Sequence, residues 1–129
     1  MSRLEDFLGL TDVSEIRNTI SVKLGDKEFE FVIKPLSESE HNEFQKRCNV
    51  YNKNKVSFDN AKYNRLILES CIVEPDFNNA DFLKKVGCIS GVEFLEKKFP
   101  AGVLMDIGVE IQKLSGFNTY EVEIENAKN

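Results

Sequence analysis

Few side chains in this sequence are equipped for nucleophilic chemistry. A hydroxyl or thiol nucleophile needs a base within hydrogen-bond reach, and the 129 residues contain 1 histidine, His41. It falls in the middle of a helical stretch with no sequence neighbour to pair with, and it reads as a structural or partly exposed side chain. The 3 cysteines, Cys48, Cys71 and Cys88, are odd in number and far apart. Without a CxxC pair they build neither a zinc ribbon nor a thioredoxin-type motif. They read as buried, reduced thiols that behave as small hydrophobes, in keeping with a reducing compartment.

Carboxylates are plentiful but placed for other work. Glu38, Glu40 and Glu43 fall at a helix start, where they favour the macrodipole. Asp76 and Asp81 flank another helix start, where capping accounts for them. Glu121, Glu123 and Glu125 alternate near the end of the chain and read as solvated. None has the spacing of an EF-hand loop or a HExxH zinc site. Gly87-Cys88-Ile89-Ser90-Gly91 precedes a helix, as a phosphate cradle does. It lacks both GK[ST] and the full GxGxxG pattern, so it reads as a helix–helix turn with glycine at the C-cap. Lys46, Arg47, Lys53 and Lys55 form the one basic cluster. Tyr51 and Phe58 interleave with it, a faint likeness to single-strand stacking platforms, although a solvated loop is the plainer reading. No residue emerges as catalytic, cofactor-binding or metal-ligating. The expectation is a binding or scaffolding protein, not an enzyme.

The elements that carry these residues follow from composition and patterning. Hydrophobic residues make up 41% and charged residues 30% of the chain, with 7 Gly and 3 Pro, which excludes disordered and low-complexity classes. A chain of this length forms one domain and buries roughly two-thirds of its unfolded surface. The net charge of -5 has the wrong sign for nucleic acid or anionic lipid. No apolar run reaches the roughly 18 residues of a membrane span, and Met1–Leu10 is not a signal peptide. The expected setting is cytosolic.

Leu4, Phe7 and Leu8 lie at i, i+3 and i+4, the apolar face of a helical turn too short to stand alone. Ile20, Val22 and Leu24, then Phe29, Phe31 and Ile33, alternate on either side of Gly25-Asp26, which predicts a hairpin with a type II′ turn. Val22 then falls opposite Phe29 and Ile20 opposite Phe31, putting the apolar residues on one face. Pro35 ends the second strand, and Ser37-Glu38-Ser39-Glu40 is a capping box for a helix to about Cys48. Asn49 to Val56 reads as a polar loop. From the N-cap Asp59, a helix carries Tyr63, Leu66, Ile67, Leu68, Cys71, Ile72 and Val73 before Glu74-Pro75 stops it. Shorter helices follow from Asn79 or Ala80 to Val86 and from Ser90 to Lys98. A last one opens at Pro100, with Val103, Leu104, Ile107, Ile111 and Leu114 as its core stripe and Gly116 as its stop. Residues 118–129 read as an acidic, weakly periodic tail that orders on binding. The predicted class is α+β: an N-terminal two-stranded β-hairpin packed on a bundle of about five helices in residues 1–117, followed by the tail.

The stretches LEDFL, FVIKPLSESEHNEFQKRC and FDNAKYNRLILESCIVEPDFNNADFLKKVGCISGVEFLEKKFPAGVLMDIGVEIQKLSGFN, with the closing ENAKN, resemble the XkdN-like family of phage tail assembly chaperones in order and spacing. KPLS, CIVEPDFN and LSGFN are the most specific pieces, and the first strand and residues 49–57 the least typical. The resemblance implies a phage or prophage protein, acting in the cytoplasm of the bacterial host. It implies no cofactor, and binding to the tape measure protein, which is kept soluble while the major tail tube protein is recruited. It also implies absence from the finished tail and a longer form made by ribosomal frameshift. Leu4, Phe7 and Leu8 are the candidate handle for that partner or for self-association, with no nucleic acid and no membrane involved. The competing expectations are a small phage-encoded protein adaptor and a nucleic-acid-binding protein using the Lys46–Lys55 loop.

Overall fold

The computed structural model describes residues 1–117; the expected tail, 118–129, lies outside the described residues. The elements are α1 (Leu4–Phe7), β1 (Asn18–Leu24), β2 (Lys27–Ile33), α2 (Glu38–Cys48), β3 (Asn49–Asn52), β4 (Lys55–Phe58), α3 (Asn60–Cys71), β5 (Ile72–Glu74), α4 (Ala80–Val86), α5 (Gly91–Lys98) and α6 (Ala101–Leu114). A single turn of 3-10 helix over Val13–Glu15 joins α1 to β1. The described residues therefore form a mixed α+β fold with two small antiparallel sheets.

β1 and β2 pair as the alternation predicts, with Ile20 opposite Phe31 and Val22 opposite Phe29. Gly25 turns the corner at φ +65°, a conformation that residues with a β-carbon rarely adopt. Phe31 and Ile33 are buried, whereas Phe29, nearer the turn, stays exposed. Two expectations are corrected around this hairpin. Ile72 and Val73 are not the end of a helix; they belong to β5, which pairs with the second edge of β2 to give the order β1-β2-β5. Pro75 holds Glu74 extended, and the β-branched Ile72 and Val73 fit a pleated surface. The helix accordingly stops at Cys71, whose carbonyl accepts a hydrogen bond from Lys34 N–H at 2.9 Å. Residues 49–56 are not a loop either. β3 and β4 form a second hairpin, with Tyr51 opposite Val56 and Asn52 opposite Lys55. Its base is closed by Asp59 N–H donating to the Cys48 carbonyl at 2.8 Å.

The helix boundaries follow their caps. Ser37, Asp59, Asn79 and Ser90 each accept a backbone N–H at the start of α2, α3, α4 and α5. At the end of α6, Gly116 takes φ +91°. Its N–H donates to the Lys113 carbonyl and that of Phe117 to the Gln112 carbonyl, closing a Schellman motif.

The core is built around α3. Tyr63, Ile67, Leu68 and Cys71 are buried on it, and they meet Phe44 and Cys48 of α2, Val92 and Leu95 of α5, Leu104, Ile107 and Ile111 of α6, and Phe31 and Ile33 of β2. Each large apolar side chain so buried contributes about 1.5–3 kcal/mol. Phe77 links the sheet to the α4–α5 layer, with ring centroids 5.9 Å from Phe31 and 6.0 Å from Phe94. Cys88, expected to be buried, is half-exposed in the α4–α5 turn, whereas Cys48 and Cys71 are fully enclosed.

One polar junction ties β2, α2 and α3 together at Glu40. Its carboxylate accepts hydrogen bonds from Ser70 Oγ at 2.7 Å, Ser37 Oγ at 3.1 Å and Ser37 N–H at 3.2 Å, and Lys34 Nζ lies 3.8 Å away. Burial pushes this carboxyl up, but the hydrogen bonds from Ser70 and Ser37 and the Lys34 charge outweigh it and hold it below the ordinary carboxylate range. A pKa lower in the folded than in the unfolded chain stabilises the fold above the unfolded value, and that stability is lost as pH falls. Glu40→Gln is expected to lower unfolding free energy by about 1 kcal/mol at neutral pH. In urea titrations the gap from wild type should close in acid; a gap of equal size at both pH values would contradict this role. Space gives a second expectation. A methyl added at Gly91 would come within 2.7 Å of Phe77 Cβ and 2.9 Å of its backbone carbonyl carbon, whereas one at Gly102 meets nothing within 4 Å. Gly91→Ala should cost about 1–3 kcal/mol and Gly102→Ala should stabilise by up to about 1 kcal/mol, both measurable by thermal denaturation.

Candidate functional site

Of the side chains predicted to bind a partner, Leu4 and Phe7 lie on α1 and Leu8 is its C-cap residue; α1 begins the described fold without joining its core. Arg3 N–H donates to Asp6 Oδ2 at 2.8 Å and starts the turn. Leu4 is 87% exposed, Phe7 58% and Leu8 84%, and no residue of α1 is buried. The three thus follow one another along a short helix and its C-cap and are open to solvent. Leu10 and Val13, which the sequence reading did not single out, extend the same exposed apolar segment toward β1. Their spacing from Leu4 and Phe7 was the available signal.

A second apolar surface lies across the α3–α6 contact. Here a cleft of about 730 Å³ opens between α2, α3 and α6, floored by Tyr63, Leu68 and Leu104 and flanked by exposed Met105 and Val109. The Arg65–Glu96 ion pair, 3.2 Å apart, marks one side of it. His41 Nδ1 and the Tyr63 hydroxyl are hydrogen-bonded at 2.7 Å within the cleft, and Phe117 packs on His41 with ring centroids 4.9 Å apart. The structure therefore gives His41 a packing and hydrogen-bonding role. Met105 and Val109 escaped the sequence reading because they fall off the core stripe of α6, and that offset was itself the signal.

The basic cluster sits on and beside the β3–β4 hairpin. Lys46 and Arg47 occupy the last turn of α2, and the Arg47 carbonyl accepts from Lys62 Nζ at 2.9 Å. Lys53 stands at the hairpin turn with φ +55°, and Tyr51 and Val56 are exposed side by side.

The electrostatics of the interior keep the remaining candidates unreactive. Burial, with the nearby Glu40 charge, pushes the Cys71 thiol up to about 11, so it stays protonated at neutral pH. Burial likewise raises the Cys48 thiol and the Tyr63 phenol. Among the described residues, no group of three or more His, Cys, Asp or Glu side chains is placed to hold a metal ion. No described helix is long and apolar enough to cross a membrane. The geometry offers apolar surfaces for other polypeptides.

Comparison with known proteins agrees with that reading. No curated protein and no solved structure matches the chain. The family model of the phage XkdN-like tail assembly chaperone protein matches residues 4–128, from the first residue of α1 to the penultimate residue of the chain. The chain, with its exposed apolar arm and open cleft on a mixed α+β core, belongs to the XkdN-like family of phage tail assembly chaperones.

Proposed function

We propose that this chaperone binds the tape measure protein in the host cytoplasm, keeps it soluble while the tail tube assembles, helps recruit the major tail tube protein and is absent from the finished tail. It does so without catalysing a reaction. The observation that carries this reading is the family match over residues 4–128. The exposed arm supports it physically. A four-residue helix is unstable in isolation, and three large side chains left in water gain about 1.5–3 kcal/mol each when covered. Leu4, Phe7 and Leu8 are the docking residues, inserted between apolar stripes of an elongated helical partner in a helix-in-groove arrangement. The net charge of -5 keeps the resulting complex dispersed.

The test is calorimetric titration of the full chain with soluble helical segments of the tape measure protein. Leu4→Ala/Phe7→Ala is expected to weaken binding by tenfold or more, equivalent to about 1.4 kcal/mol. The same variant should leave unfolding free energy within about 0.5 kcal/mol of wild type. A variant that loses several kcal/mol of stability while binding normally would make the arm part of the core. A wild-type chain that binds none of the segments would remove the reading itself.

A further inference from the structure

The β3–β4 hairpin carries a surface that neither the core nor the arm explains. Tyr51 and Val56 stand opposite each other, 72% and 62% exposed. Strand alternation puts them on the same face as Phe58, which packs on Tyr63 with ring centroids 5.4 Å apart and lines the α3–α6 cleft. Lys55 belongs to the opposite face, Lys53 to the turn, and Lys46 and Arg47 to the adjoining end of α2. None of these four cations forms an ion pair among the described residues. The acid beside them, Asp59, is engaged in capping α3. Lys53 holds its left-handed φ of +55° although the asparagines on either side would adopt it at lower cost. Among the described residues, β3 and β4 pair only with each other, so each has an unpaired outer edge.

The chain itself contains a segment of complementary chemistry. Residues 120–125 read Tyr-Glu-Val-Glu-Ile-Glu, apolar and acidic side chains in the alternation of a strand. We propose that the β3–β4 hairpin is the docking surface for Tyr120–Glu125 of the same chain, added as a strand along its edge. In that arrangement Tyr120, Val122 and Ile124 share the face of Tyr51 and Val56, and Glu121, Glu123 and Glu125 share the face of Lys55. Phe117 lines the same cleft as Phe58, the last residue of β4: ring centroids step 4.9 Å from Phe117 to His41, 6.0 Å from His41 to Tyr63 and 5.4 Å from Tyr63 to Phe58, and three residues of extended chain reach about 10 Å.

The test is amide hydrogen exchange over Val50–Ser57 in the full chain at low salt. Docking is expected to slow these amides by about fivefold to tenfold relative to the charge-reversed Glu121→Lys/Glu123→Lys/Glu125→Lys chain, with the difference shrinking as salt rises. Adding Lys53→Glu/Lys55→Glu to the reversed chain should restore the protection, which a folding defect in either variant would not do. Equal exchange in wild type and the reversed chain overturns the proposal, as does failure of the double reversal to restore protection. Protection that grows with protein concentration overturns it in favour of a second copy. Protection seen only on adding a single-stranded oligonucleotide overturns it in favour of nucleic acid.

Discussion

Burial of α3 is the constraint on which the rest of this structure depends. The buried Tyr63, Ile67, Leu68 and Cys71, with the partly buried Leu66, spread over roughly 200° of the helix circumference, so one neighbour cannot cover them. α2, α5, α6 and the β2 strand each supply part of the cover. The short elements gain stability from that arrangement, not from their own length. The sheet illustrates this: β5 is three residues long and immediately continues α3, so docking the helix and pairing β2 are one event. The Glu40 junction lies where these two meet, joining Lys34, Ser37 and Ser70 through one carboxylate.

A helix covered from several directions leaves little apolar surface to spare, and most of what remains exposed is gathered outside the core, with Ile89 in the α4–α5 turn and Phe29 near the β1–β2 turn standing apart. The arm at Leu4, Phe7 and Leu8, the cleft flanked by Met105 and Val109, and the Tyr51–Val56 pair all lie outside the central core. Scattered exposed hydrophobes are ordinary on a protein surface; a helix whose every residue is exposed is not. An assembly chaperone needs this division of labour. Surface that binds a partner must stay available without weakening the domain that displays it.

The parts of the fold that were legible in the sequence are those with one buried face and a local cap. The β1–β2 register followed from alternation around Gly25, and α2 through α6 were legible from Ser37, Asp59, Asn79, Ser90 and Pro100. β5 was not, because Ile72 and Val73 continue the apolar pattern of α3 and its strand partner is distant in sequence. Only Pro75, holding Glu74 extended, signalled the change. The β3–β4 hairpin was missed for a different reason: both of its faces meet solvent over most of their length, so only the four residues Lys55-Val56-Ser57-Phe58 alternate and Asn49–Asn52 do not. Val50, Tyr51 and Val56 around the Asn52–Asn54 turn were the remaining clue. For the candidate site, the spacing of Leu4, Phe7 and Leu8 predicted a shared face; Leu4 and Phe7 fall on α1, Leu8 is its C-cap, and all three are exposed. The cleft was not legible, since it arises from how α2, α3 and α6 cross.

Covering apolar surface on a longer tail protein is the role proposed for this small acidic chain. Its most direct test is co-expression with the tape measure protein of the same genome, followed by size-exclusion chromatography with light scattering. A soluble complex of defined stoichiometry is expected under conditions in which the tape measure protein alone aggregates. A tape measure protein that precipitates regardless, while the chaperone elutes by itself, would contradict it.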